Sequence, residues 1–291
     1  MKAIAFPDKS AVRRSFERAA RDFDVHAILH REVAARLVEH LDPIRVDPSL
    51  IVDLGCGTGG LFEAMNKRYP RASVVGLDIA HAMLVRARNR APWWRRALGG
   101  SGLRLVCGDA ERLPLARACA ALVVSNLALH WCRPEAFFAE SARTLSPGGL
   151  LLFSTFGPDT LKELRAAFAA VDGAAHVHAF VDMHDLGDAL VHAGFADPVM
   201  EMEVITLEYA NVQAMARELR GTGSRNAMPE RIRGLMGRGR WQRVLDGYEA
   251  RRRAGVLPAT FEVVYGHAWK VKPKVTADGR QVIDFQPRER A

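Results

Sequence analysis

The sequence predicts an α/β protein: a doubly wound parallel sheet, with helices ahead of it and a small helical cap inserted near its end. Three observations carry that expectation. Strand-like and helix-like runs alternate after Pro48. The strand runs are continuous in Val, Leu and Ile rather than alternating, as in a parallel sheet covered on both faces. A glycine-rich turn closes the first of them.

Taken in order, Ser10 to Leu41 reads as two amphipathic helices, one carrying Val12, Phe16 and Ala19 and the other Ile28, Val33, Leu37 and Leu41, ended by Pro43. Strands are expected at Leu50–Leu54, Ser73–Leu77, Leu103–Cys107, Ala120–Ser125 and Leu150–Thr155. Helices fall between them at Gly59–Arg68, Ala80–Arg90 and Pro134–Leu145. Beyond Thr155, Pro158–Ala170 and Met183–Ala193 are helical. Pro198–Glu208 reads as a strand with Met200, Met202 and Val204 on its dry side and Glu201 and Glu203 on its wet side. Phe261–Trp269 is the last of seven strands. The organisation is then N-terminal helices over 1–48 and an α/β core over 49–156. The rest of the sheet follows over 157–269 with cap insertions at 157–182 and 209–258, and 270–291 form a basic tail.

Composition narrows the class. The 291 residues are 49% hydrophobic and 25% charged, too apolar for a disordered chain. No run approaches the roughly 18 apolar residues of a membrane span. Ala3 to Phe6 is too short for a signal-peptide core. Cys56, Cys107, Cys119 and Cys132 show no C-x-x-C pairing, so neither a disulfide scaffold nor a zinc module is expected, and the reducing cytoplasm is the expected compartment. The net charge of +8 is concentrated late: Arg217 to Ala291 hold 17 Lys+Arg against 8 Asp+Glu. A basic final quarter permits nucleic acid, a phospholipid surface or an acidic protein as partner.

The chemistry gathers at the strand ends. Val52-Asp53-Leu54-Gly55-Cys56-Gly57-Thr58-Gly59-Gly60 turns from strand to helix, and Gly55, Gly57 and Gly59 let the backbone approach a ligand at a helix N-terminus. Alone this is a weak signal, since dinucleotide fingerprints look similar. Asp78 ends the second strand, where an acid accepts ribose hydroxyls; Gly108-Asp109-Ala110 and Ser125-Asn126-Leu127 end the third and fourth.

This ordered set, completed by Leu145-Ser146-Pro147-Gly148-Gly149, resembles the class I S-adenosylmethionine-dependent methyltransferases. The resemblance implies a Rossmann-like seven-stranded sheet and S-adenosyl-L-methionine as cofactor, with S-adenosyl-L-homocysteine as product. It also implies site roles. Asp53, Gly55, Gly57 and Gly59 surround the methionine part and Asp78 binds the ribose. Ile79 and Ala110 pack on adenine and Asp109 binds its amino group, while Asn126 and Leu127 lie below the sulfonium. No metal is implied.

Further stretches narrow the branch. Val12 to Ala20 with Phe23-Asp24, Asn126 to Cys132, Ser154 to Leu161 and Glu262 to Trp269 are similar to the malonyl-acyl-carrier-protein O-methyltransferases of biotin synthesis. Two departures stand out: Phe23, where that family often has Tyr, and His130, where Gln is frequent. The implied acceptor is the free carboxyl of a malonyl thioester on an acidic acyl carrier protein, or malonyl-CoA, with no nucleic acid and no membrane. A malonyl carboxylate, with a pKa of roughly 4, needs no general base at pH 7. His130 and Trp131 are the candidates beside the transferred methyl. Arg217, Arg220 and Arg225 are the candidates for holding the carboxylate, with Arg18 or Arg21 as substitutes, and Phe6, Phe16 and Phe23 could line an acceptor tunnel. Arg251, Arg252 and Arg253 offer a surface for the carrier, whereas Trp93 and Trp94 only pack a Gly-Gly-Ser-Gly turn. Alternatives with the same cofactor site are a small-molecule or quinone methyltransferase and an S-adenosylmethionine-binding assembly factor.

Overall fold

The computed structural model describes residues 5–90, 103–232, 234 and 236–272. Trp93, Trp94, the glycine-rich turn after them and the tail beyond Lys272 lie outside the described residues. Seven strands form one sheet in the order β3-β2-β1-β4-β5-β7-β6. They are β1 Leu50–Leu54, β2 Ser73–Asp78, β3 Leu103–Cys107, β4 Ala120–Asn126, β5 Leu145–Phe156, β6 Phe195–Tyr209 and β7 Leu257–Lys270. The first five pair in parallel, and β7 joins β5 and β6 antiparallel. The strand order reverses between β1 and β4, so their carboxyl ends flank the crevice where such sheets take ligands.

Both faces are covered, which explains the unbroken apolar runs. Ile51, Leu122 and Leu152 point into a core shared with Val33, Leu37 and Leu41, which lie on or just beyond helix α3 (Ile28–Glu39). Val52, Val123 and Phe153 point the other way, towards Phe137 and Phe138 of α6 (Pro134–Thr144) and Leu186 and Leu190 of α8 (Met183–His192). Both phenylalanines are fully buried, and truncating either to Ala would cost about 3–5 kcal/mol. Two more helices, α4 (Phe62–Arg68) and α5 (His81–Arg90), follow β1 and β2.

Three expectations are corrected. The N-terminal segment makes three helices, α1 (Lys9–Ala19), the single turn α2 (Phe23–His26) and α3, because Asp22 and Ala27 leave helical geometry on either side of α2. Strand β5 starts five residues early: Leu145 already pairs with Ala120, and a register shift before Leu122 absorbs the Pro-Gly-Gly turn. On β6, Met202 and Val204 are exposed while Glu203, Ile205 and Leu207 are partly covered. The reason is α3, which lies over that face and brings Arg36 onto Glu203; Ile205 and Leu207 join the same core as Leu37.

The segments after β5 and β6 meet above the carboxyl edge. Helix α7 (Lys162–Ala169) packs on α10 (Arg238–Glu249), with the Phe168 and Trp241 rings 6.4 Å apart. Helix α9 (Val212–Gly221), capped by Asn211, lies against α2, where the His26 ring sits so close to Gly221 that any side chain there would collide with it. The loop after α9 is tied to α1: Ser15 Oγ donates to the Gly223 carbonyl at 2.8 Å and Asp8 N to the Ala227 carbonyl at 2.8 Å. Among the described residues no helix is long and apolar enough to cross a membrane.

Candidate active site at the carboxyl edge of the sheet

Two neighbouring regions make up the site, a turn and acid cluster at the ends of β1, β2 and β3, and a cavity beyond the end of β4. In the first, Gly55, Gly57 and Gly59 take φ of 72°, 53° and 81°. A Cβ on Gly55 would stand 2.3 Å from that of Ala128, so only glycine lets this turn lie under the strand-four loop; above Gly57 nothing lies within 4 Å, which leaves room for a ligand. The Leu77 carbonyl accepts from Gly55 N and Cys56 N, and Asp78 Oδ2 accepts from Gly57 N at 2.9 Å, so the end of β2 holds the turn.

Asp53 is 1% exposed, and neither of its carboxyl oxygens finds a hydrogen-bond partner. Burial, reinforced by the Asp78 charge, pushes its pKa up to about 8. Burial also raises Asp78 to about 6, against the N–H groups of Ala80 and Gly57 that favour its ionised form. A pair of buried acids with unused acceptors is costly for the bare protein and suits a ligand that brings positive charge. This fits the cofactor implied by the sequence, whose sulfonium and ammonium are both cationic. Asp78 Oδ1 accepts from Ala80 N at 2.8 Å, and a carboxylate with about four acceptor positions keeps two for a ribose. Asp109 Oδ1 takes bonds from Lys9 Nζ at 3.0 Å and Glu111 N at 3.0 Å. Ala110 is buried and Ile79 partly so, the latter packed with Val12, Trp131 and Ala227.

Asn126 and Leu127 stand where the two regions join. Asn126 Oδ1 accepts from Ser154 Oγ at 2.8 Å, and its Nδ2 donates to the His30 carbonyl at 3.0 Å. Leu127 is held at a φ of 51°, and its N–H bonds Ser154 Oγ at 3.0 Å. Such backbone strain in a non-glycine residue persists where surrounding contacts enforce it.

The cavity has about 720 Å³ of empty space, its open mouth included. His130 and Trp131 form part of its wall, with Phe156, Leu161 and Phe261 supplying apolar surface. Five of the chain's ten histidines line it: His26, His30, His130, His176 and His178. Burial lowers His30 to about 4, with the Arg31 charge assisting, and lowers His178 to about 4. His130 is held well below the usual imidazole range, first by burial and then by His178 and His30. Trp131 is fixed edge-on between Phe16 at 5.4 Å and His178 at 4.9 Å.

The structure separates the candidate arginines. Arg225 lines the cavity, and its exposure marks the mouth; Arg220 and Arg217 project from α9 into solvent and do not line it, because Glu218 and Leu219 occupy the inward face of that helix. Arg18 and Arg21 are also exposed and outside the lining. Nor do the three phenylalanines line it: Phe16 packs on Trp131, Phe23 meets the His30 ring edge-on at 5.2 Å, and Phe6 lines a small neighbouring pocket.

Several residues of the site escape a sequence reading. Lys9 bridges Asp109 and Glu111, Asp24 accepts from Thr58 Oγ1 at 2.6 Å, and Glu17 accepts from His81 N and Ala82 N. These contacts bring α1 and α2 over the glycine turn from far away in sequence. His30 carries a weak signal, a polar residue amid the apolar positions of α3.

Residues 52–153 match a family described as a methyltransferase domain. The malonyl-acyl-carrier-protein O-methyltransferase of Gallionella capsiferriformans is 49% identical over 277 residues, covering 95% of this chain and 96% of its own. The enzyme of that name from Laribacter hongkongensis is 50% identical over 288 residues and 97% of each chain. Among solved structures, the YcgJ protein of Bacillus subtilis superposes with a TM-score of 0.58 at 14% identity, covering 83% of this chain and 99% of its own. A Bacillus halodurans protein gives 0.57 at 18% identity, over 82% and 99% of the two chains. These last two likenesses concern the fold.

Proposed function

This chain belongs to the malonyl-acyl-carrier-protein O-methyltransferases, and from that premise we propose how its strand ends and cavity carry the reaction. It is an S-adenosylmethionine-dependent O-methyltransferase that esterifies the free carboxyl of a malonyl thioester on acyl carrier protein, the chemistry that opens pimeloyl synthesis for biotin. The observation that carries this reading is the cavity lined both by buried His130, beside the end of β4, and by exposed Arg225: its lining is largely apolar, as an acyl group requires.

Asp53 and the turn at Gly55, Gly57 and Gly59 would hold the methionine portion of the cofactor, the unpaired Asp53 oxygens being suited to its ammonium. Asp78 holds the ribose; Ile79, Asp109 and Ala110 hold the adenine. Asn126 and Leu127 place the reacting end at the cavity wall. S-adenosylmethionine bound there would supply an electrophilic methyl group on a sulfonium, with S-adenosylhomocysteine as the product. The chain's own part is alignment and removal of water from the acceptor carboxylate, which is already ionised at pH 7. His130, neutral and beside Phe156, orients that carboxylate, and Trp131 fixes the imidazole from one side.

The helices over 1–48 close the cofactor side, and the insertions 157–182 and 209–258 cap the acceptor side. Arg225 at the mouth, with Arg217 and Arg220 outside it, gives an acidic carrier protein a basic landing surface in the cytoplasm. Mass spectrometry of malonyl carrier protein incubated with the enzyme and S-adenosylmethionine tests the reading: one methyl group is gained, and the acetyl form gains none. Equal methylation of the acetyl form, or none of the malonyl form, overturns it.

A further inference from the structure

The acceptor carboxylate needs hydrogen-bond donors at the buried end of the cavity, and among the described residues Arg225 is the one arginine in its lining. Arg225 stands at the mouth. Arg165, on α7, spends its guanidinium on the carbonyls of Pro158, Thr160 and His178. Glu218, also in the lining, repels an anion. What the inner wall does present is imidazole. His30 and His130 both line the cavity, and in each ring Nδ1 is shut away from water without a hydrogen-bond partner. Neither Nε2 is enclosed in this way or hydrogen-bonded among the described residues, so Nε2 is the nitrogen each ring can turn to a ligand in the cavity.

His30 is also held ready for such a task. Its backbone carbonyl is tied to Asn126 at the end of β4, and its ring is braced edge-on by Phe23. It therefore stands between the strand end assigned to the cofactor and the cavity assigned to the acceptor. Burial keeps both rings neutral, each with a single N–H to give; Arg31 adds to the effect at His30, and His178 and His30 add to it at His130.

We propose that His30 and His130 together form the carboxylate-binding end of the acceptor cavity, a pair of neutral imidazoles doing what an arginine does in other carboxylate sites. The proposal rests on the reading above and adds His30 to it as a residue that touches the acceptor. It also gives the site a way to reject its own product: the methyl ester has lost the charge that makes two donors worthwhile, and its added methyl must fit against Phe156.

The test uses the full chain. With His30→Leu, KM for malonyl carrier protein rises about ten- to hundredfold, as for one lost hydrogen bond to a charged group, while cofactor affinity stays within about twofold. His30→Asn and His30→Gln return an amide donor near one or the other ring nitrogen, and at least one of them recovers most of the loss. A purely structural role predicts that all three variants fall together, with lowered melting temperatures and weakened cofactor binding, and that outcome overturns the proposal, as does an unchanged KM in His30→Leu. A second measurement is independent of turnover. In ¹⁵N-histidine protein loaded with S-adenosylhomocysteine, malonyl-pantetheine shifts the ring resonances of His30 and His130, and its methyl ester does not. Equal shifts with both, or none, refute the imidazole pair, whereas absent turnover with intact shifts faults only the assigned reaction.

Discussion

Asp78 accepts the backbone N–H of Gly57 at 2.9 Å, so one carboxylate both ends β2 and fixes the turn after β1. Its neighbour Asp53 has no such bond. With burial raising Asp53 to about 8 and Asp78 to about 6, the bare protein holds protons here that it must release before a cation is well bound. Cofactor affinity should therefore rise between pH 6 and 8, with proton release on binding. Calorimetry in buffers of different ionisation heat reads both, and Asp53→Asn should flatten the profile. Stability runs the other way. An unfolded Asp ionises near 3.9, so between that value and about 8 the unfolded chain is charged while native Asp53 is not. Through this group, stability is full below pH 4 and is lost as pH rises, so the bare protein should melt lower at pH 8 than at pH 6, and saturating cofactor should reduce the difference.

Glu17 closes α1 onto the cofactor side. Its two oxygens accept from His81 N at 2.8 Å and Ala82 N at 2.9 Å, the free donors that open α5. Glu17→Ala removes what amounts to a cap and should cost about 1 kcal/mol. Because α5 follows Ile79, the same change should speed cofactor dissociation several-fold in stopped-flow measurements. A lower melting temperature with an unaltered dissociation rate would mean that α1 does not gate the cofactor.

The parallel half of the sheet was readable because burial on both faces writes itself as unbroken Val and Leu, and because glycine and acid recur where strands end. Gly55, Asp78 and Asp109 needed only local pattern. The face of β6 misleads, since Met202 and Val204 look like core residues until α3 is known to lie against the opposite side at Glu203. The clamps Lys9–Asp109 and Thr58–Asp24 join residues 100 and 34 apart in sequence, and no periodicity encodes such pairings. Arg220 and Arg225 look alike as text; only the path of the chain after Gly221 turns one towards the mouth and leaves the other outside.

Glu163 tests whether the cap matters separately from the cofactor site. Buried on α7, it accepts from Thr260 N at 3.1 Å and from Thr260 Oγ1, which joins the first cap insertion to β7. Glu163→Ala strands both donors and should cost about 1–3 kcal/mol. Its melting temperature should fall, and cofactor affinity should not change, because Asp53 and Asp78 lie on the far side of β5 from this contact. A matching loss of cofactor affinity would make the cap and the cofactor site one cooperative unit.

Arg225 and Arg220 make a matched pair for the carrier. Both are exposed on the same stretch of chain, but only Arg225 borders the cavity. On the proposed reading, a negatively charged carrier whose arm enters there brings its charge to Arg225. Arg225→Glu should raise KM for malonyl carrier protein about tenfold and leave the chemical step in single-turnover experiments intact, since a rim charge acts on encounter. Arg220→Glu, farther from the arm, should have a smaller effect that fades at high salt, as a screened contact does. If Arg225→Glu instead lowers the single-turnover rate with KM unchanged, Arg225 reaches inward to the carboxylate, and the mouth of the cavity must lie elsewhere.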